Sequence, residues 1–155
     1  MLSNNIIKLI GDAMKARDAV RVSTLRGLSA ELKNAKINIY DPNATEQREL
    51  TEAEEIAVIR KEAKKRKEAI ELFKKINDKN ANDKLEQEQA ELAILSEFLP
   101  AEVTAEELEK LVNESIETIK ASGMQDMGKV IADVKSKNSG VDGATVAQLV
   151  KQKLS

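Results

Sequence analysis

Apolar residues recur three and four positions apart along almost the whole of this chain. That spacing puts them on one side of an α-helix. Ile6, Ile7, Ile10 and Met14 follow it, as do Val22, Leu25, Leu28, Leu32, Ala35 and Ile39, and again Ile56, Ile59, Ala63, Ile70 and Phe73. A sheet of similar size would draw on aromatics and longer runs of Val, Ile and Thr. Here the only aromatic side chains in 155 residues are Tyr40, Phe73 and Phe98. Ala, Leu, Ile, Lys and Glu dominate, which are helix formers. The predicted fold is all-α.

Local signals divide this pattern into helices. Ser3 is placed to cap the first, and Ala16-Arg17-Asp18 reads as a short break before the second. Pro42 ends the second, because the residue before proline is pushed out of helical geometry, and 41–50 reads as a loop. Thr51-Glu52-Ala53-Glu54 fits a capping box, with Thr at the cap and Glu three positions on. The helix it opens should run to about Ile76. A polar turn over Asn77–Asn82 precedes a fourth helix carrying Leu85, Leu92 and Leu95, which ends before Pro100. Thr104-Ala105-Glu106-Glu107 is a second capping box, opening a helix with Leu108, Leu111, Val112, Ile116 and Ile119 that Ser122-Gly123 should stop. Asp126 is placed to cap a short helix with Met127, Val130, Ile131 and Val134. Ser139-Gly140-Val141 reads as a turn, and Asp142 as the cap of a last helix. With Pro100 as the divide, the expectation is an N-terminal helical domain over 1–98 and a small C-terminal three-helix module over 99–155.

What is missing narrows the chemistry. With no Cys there is no disulfide, thiol nucleophile or thiolate metal site. With no His there is no serine triad and no histidine-bound zinc. Carboxylate catalysis, lysine chemistry and oxygen-ligated Mg²⁺ pass this filter. However, Glu52-Glu54-Glu55 and Glu106-Glu107-Glu109 fall in first turns, where carboxylates suit the helix dipole. The reading assigns no catalytic residue and no metal ligand, and expects no cofactor. Met1-Leu2-Ser3-Asn4-Asn5 lacks the charged start of a signal peptide. No apolar run approaches the roughly 18 residues of a membrane span. The expected location is the cytosol, with no membrane partner.

Charge is unevenly spread, although the net value is only −2. From Arg60 to Lys79 nine basic residues face four acidic ones. From Asp83 to Glu117 eleven acidic residues face Lys84 and Lys110. From Lys120 to Ser155 six lysines face three aspartates. Such asymmetry speaks to partners. Arg60, Lys64, Lys67 and Lys74 stack along one helix edge, widened by Lys61, Lys65, Lys75 and Lys79. They read either as a phosphate-contacting face or as solvated surface laced by Glu62–Arg66 and Glu71–Lys75 pairs. Arg66 falls inside the apolar stripe between Ala63 and Ile70, and Arg21 sits similarly beside Val22, Leu25 and Leu28. A buried guanidinium requires a partner, so both read as structural ion pairs holding helices in register, or else as ligand-binding arginines. Gly128, inside a helix, points to close helix packing or to close approach of a ligand. Gly140 and Gly143 flank the N-terminus of the last helix, where free N–H groups favour an anion, with Lys129, Lys135 and Lys137 near in sequence. They read as a capping turn or as an anion site.

Several stretches, in order, resemble the YqeY-like proteins, whose domain also forms the tail of the GatB subunit of the bacterial tRNA-dependent amidotransferase. They are Arg21-Val22-Ser23-Thr24-Leu25-Arg26; Lys65-Arg66-Lys67-Glu68-Ala69-Ile70-Glu71-Leu72-Phe73; Glu91-Leu92-Ala93-Ile94-Leu95 running into Phe98-Leu99-Pro100; Asp126-Met127-Gly128-Lys129-Val130; and Gly140-Val141-Asp142-Gly143. The resemblance implies an N-terminal helical domain plus a C-terminal bundle of the GatB-tail type. In GatB that tail lies away from the amidation chemistry and helps to hold tRNA. The expected function is accordingly a non-catalytic accessory protein touching tRNA or another structured RNA through phosphates, and the resemblance favours the C-terminal lysines for that contact. Two alternatives stand beside it. One is a component of a glutamine-dependent carbon–nitrogen ligase such as the tRNA amidotransferase, resting on family association. The other is a protein-interaction scaffold using the acidic segment from Asp83 to Glu117.

Overall fold

The computed structural model describes residues 1–138 and 140–155. Among the described residues there are seven α-helices and no strand, in agreement with the all-α expectation. None of these helices is long and apolar enough to cross a membrane. The chain divides into two compact units, Met1–Leu99 and Pro100–Ser155.

The first unit holds α1 (Leu2–Lys15), α2 (Ala19–Asn38), α3 (Glu52–Lys74) and α4 (Lys79–Ser96). Their apolar stripes meet at Ile6, Leu28, Leu32, Leu50, Ile59, Ala63 and Leu95. The predicted break between α1 and α2 is a tight turn in which Arg17 takes left-handed geometry, φ 58°. Asp18 then caps α2, its side chain accepting from the Arg21 N–H at 2.9 Å. The Thr51–Glu54 capping box forms as expected.

Three expectations in this unit need correction. Ser3 does not cap α1, which begins at Leu2. Instead the N–H groups of Leu2 and Ser3 donate to the Glu55 carboxylate at 2.7 and 3.0 Å, and the Ser3 hydroxyl bonds to it as well. The free N–H groups of one helix are thus satisfied by a carboxylate from another. Glu55 lies in the first turn of α3, as expected, and is buried by this second contact. At the other end, α3 stops at Lys74 and α4 starts at Lys79, so the polar turn is shorter than Asn77–Asn82. Burial of Ala81 draws the first turn of α4 into the packing.

The second unit holds α5 (Ala105–Ile119), a 3-10 turn at Met124–Asp126, α6 (Met127–Lys137) and α7 (Gly143–Leu154). They close around Leu108, Val112, Val130, Val134, Val141, Val146 and Val150. Ser115 is wholly buried in α5, and its hydroxyl donates to Asp133 at 2.6 Å. The Thr104–Glu107 capping box forms as expected, and Asp142 caps α7.

Here too local signals misplace some details. α5 ends at Lys120, in left-handed geometry, before Ser122-Gly123 is reached. The Asp126 side chain does not cap α6 but accepts from the Ser122 N–H at 3.2 Å, pinning the preceding turn. Gly128 is exposed, and a Cβ there would meet nothing within 4 Å, so close helix packing does not explain it. Of the turn read at Ser139-Gly140-Val141, Ser139 lies outside the described residues.

Candidate nucleic-acid interface

On α3, Arg60, Lys64, Lys67 and Lys74 stand at offsets of 4, 7 and 14 positions. At 100° per residue these fall within an arc of about 80° and span about 21 Å. The sequence therefore gathers them on one flank of the helix, beside the buried stripe of Ile59, Ala63 and Ile70. Lys64 and Lys74 are exposed, with Glu68 at 4.0 Å from the first and Glu71 at 3.0 Å from the second. Exposed pairs of this kind are worth a few tenths of a kcal/mol to about 1 kcal/mol, weak enough for a phosphate to displace. Lys67 is exposed and Arg60 half-buried. Lys65 leaves the flank and pairs at i,i+3 with Glu62. That carboxylate is itself buried, and its hydrogen bond raises the Lys65 pKa.

The two arginines read as structural ion pairs do bridge helices, but neither is fully buried. Arg66 lies on the seam between α3 and α4, with Nε 3.0 Å from Glu91 and Nη1 3.4 Å from Glu88. Glu91 is only 6% exposed and also accepts from Gln87 at 2.9 Å. The Arg66 side chain keeps 32% exposure. Arg21 grips Glu97 with both terminal nitrogens, at 2.9 and 2.7 Å, and keeps 28%. Long aliphatic stems let each guanidinium leave the apolar stripe and reach the rim, which is why stripe position overstates burial.

The C-terminal candidates do not converge. Lys129 pairs with Asp126 at 3.3 Å and Lys137 with Asp133 at 2.8 Å. Lys135 is two residues from Lys137 and so points about 160° away around α6, placing its amine over Gly143. Gly140 has an internal explanation, since a Cβ there would sit 2.6 Å from the Ala101 carbonyl oxygen. Gly143 opens α7, and Asp142 accepts from the Thr145 N–H at 3.1 Å and its hydroxyl at 2.9 Å. The place an anion would take at this helix end is already filled by the chain's own carboxylate. Val141, in the same turn, belongs to the core.

The acidic segment is also partly engaged within the chain. Among its acidic residues, Glu88 and Glu91 pair with Arg66, Glu97 with Arg21, Glu107 closes its capping box, and Glu109 pairs with Lys153, 3.0 Å away. Sequence reasoning passed over a shallow cleft where α1 meets α2, lined by Met14, Arg17, Val22, Ser23 and Arg26 among others. Arg17 and Arg26, four and five positions from Arg21, were the available signal. Among the described residues, no group of three or more Asp or Glu side chains is arranged to hold a metal ion.

No curated protein matches the chain. The family model described as "Yqey-like protein" matches residues 3–154, nearly the whole sequence, and the chain belongs to the YqeY-like family.

Proposed function

We propose that this protein is a non-catalytic, cytosolic accessory protein that holds tRNA or another structured RNA through its phosphates. The observation that carries this reading is the row Arg60, Lys64, Lys67 and Lys74 along one flank of α3, in which Lys64 and Lys74 have only exposed acidic neighbours. No aromatic side chain lies in that row, so stacking on bases has no platform and the contact rests on backbone charge. The resemblance to the amidotransferase tail adds a reason to expect tRNA. The geometry favours α3 over the dispersed lysines of α6.

Binding of this kind weakens steeply with salt, with a log–log slope set by the phosphates neutralised. Replacing Lys64, Lys67 and Lys74 together with Gln should flatten that slope by roughly 2 units while the protein stays folded. The same change at Lys129, Lys135 and Lys137 should leave it nearly intact. Titration of tRNA across a salt series with all three proteins makes the comparison. No binding at low salt discards the RNA reading. Glutamine-dependent amidation by the purified chain alone overturns the non-catalytic one.

A further inference from the structure

Helix α2 has one apolar face and one exposed face of small side chains with an aliphatic residue at each end. One supplies Leu25, Leu28 and Leu32 to the interior. The other is exposed and carries Val20, Ser23, Gly27, Ala30, Asn34 and Ile37, at offsets of 3, 7, 10, 14 and 17. That is the seam spacing with which one helix seats against another. Helix α1 adds Ile7 and Met14, 74% and 54% exposed, with Gly11 between them. Ile37, at the far end of the α2 stripe, is 69% exposed. The two stripes approach each other at the cleft where α1 meets α2, which Met14 of the first and Ser23 of the second line together with Val22 and Arg26.

The two glycines sharpen the point. A helix-interior glycine is disfavoured relative to alanine, so it needs a reason. Neither Gly11 nor Gly27 has a positive φ, and a Cβ on either would meet nothing within 4 Å. No contact or backbone conformation within the chain requires them. Both leave open notches on the exposed stripes, where the knobs of a docking helix would enter.

The borders of this face are basic. Lys8, Lys15, Arg17, Arg26 and Lys33 are all exposed there. Against them stand Asp12, which lies 3.9 Å from Lys15, Asp18, which is engaged in capping α2, and the half-buried Glu31, whose charge acts on Lys65 of α3. A stripe of small and aliphatic side chains with Arg26 and Lys33 along one border and Lys8, Lys15 and Arg17 beside it complements a helix with an aliphatic stripe and acidic borders. Nucleic acid suits it poorly, because Ile7, Met14, Val20 and Ile37 offer neither charge to phosphate nor an aromatic ring to a base.

We propose that the outer α1–α2 face docks an acidic amphipathic helix of a partner protein. The partner's aliphatic residues seat against Ile7, Met14, Val20 and Ile37, and its carboxylates meet Lys8, Arg17, Arg26 and Lys33. This surface is separate from the α3 flank and does not depend on the RNA reading.

The probe is a fluorescent peptide of about 21 residues, six turns of helix, with Leu at positions a and d of each heptad and Glu at e and g. Fluorescence anisotropy against the full-length protein should show binding. Gly27→Gln fills the notch with a better helix former, so the melting temperature should hold or rise while peptide affinity falls at least tenfold. Arg26→Glu with Lys33→Glu should weaken binding at least tenfold, and so should exchanging the peptide's Glu for Lys. The proposal is overturned by absence of peptide binding, by equal binding of acidic and basic peptides, or by an inert Gly27→Gln. It is also overturned if sedimentation velocity shows a dimer that Gly27→Gln abolishes, which would make a second copy the occupant. Loss of tRNA rather than peptide binding in that variant would make the face an RNA surface and overturn it equally.

Discussion

At Arg66 one guanidinium and two carboxylates share the seam between α3 and α4. Removing the cation leaves the nearly buried Glu91 without a countercharge. For a fully buried pair that costs about 3–5 kcal/mol. With the arginine side chain a third exposed, solvent returns part of the loss, and Arg66→Ala should cost about 2–3 kcal/mol. Arg66→Lys should recover only part of this, because a point cation cannot reach both carboxylates as a planar fork does. Urea melts of the two variants decide it, and a lysine variant as stable as the parent would remove the need for two partners. The sequence showed that an arginine in an apolar stripe needs a partner. It could not show which, because Glu88 and Glu91 lie 22 and 25 positions away on another helix. The second contact of Glu55 was out of reach for the same reason. Its spacing from Thr51 fits a solvated first-turn carboxylate, whereas its contacts with Leu2 and Ser3 cross more than fifty residues.

Helix starts were legible at the two capping boxes, and the end of α5 was not. Both capping boxes involve residues three apart, and nothing distant competes with them. The end of α5 depends on tertiary packing. Lys120 takes φ 55° so that its own N–H reaches the Glu117 carbonyl at 3.2 Å and the Ala121 N–H reaches the Ile116 carbonyl at 3.0 Å. This is the double closure of a Schellman turn, and Ala121 packs against the core as a result. Left-handed geometry costs a residue with a Cβ roughly 1–2 kcal/mol, and the turn closes in spite of it. Lys120→Gly should therefore raise stability by about 1 kcal/mol, visible as a higher thermal midpoint. Gly123 has extended backbone, which any residue adopts, so Gly123→Ala should change little. A lower midpoint for Lys120→Gly would show that the lysine side chain contributes more than the strain it imposes.

Across the whole molecule, the α3 row was legible because a single helix fixes the relative directions of its residues. The C-terminal lysines, close in sequence, do not converge, because two of them are separated by nearly half a turn. Charge also sets how the molecule as a whole responds to acid. Arg48 forks onto Glu54 at 2.8 and 2.7 Å and holds its carboxyl down to about 2. Arg21 lowers Glu97, the Thr104 N–H lowers Glu107, the Ser122 N–H lowers Asp126, and Lys137 with Ser115 lowers Asp133. Each depressed carboxylate binds its proton more weakly folded than unfolded. Its stabilisation is complete above the ordinary values of 4.5 for Glu and 3.8 for Asp, and disappears as pH falls through the lower folded value. Both units carry such groups, so both should weaken together. There is no histidine to titrate near neutrality. The urea midpoint should therefore stay flat from pH 7 to about 5.5 and then fall steadily from about pH 4.5 towards pH 2. Arg48→Ala should make that fall shallower while its onset near pH 4.5 stays, since the largest cause lowering the Glu54 carboxyl is then gone. A decline that begins near pH 6 would contradict this account, because no side chain here ordinarily titrates in that range.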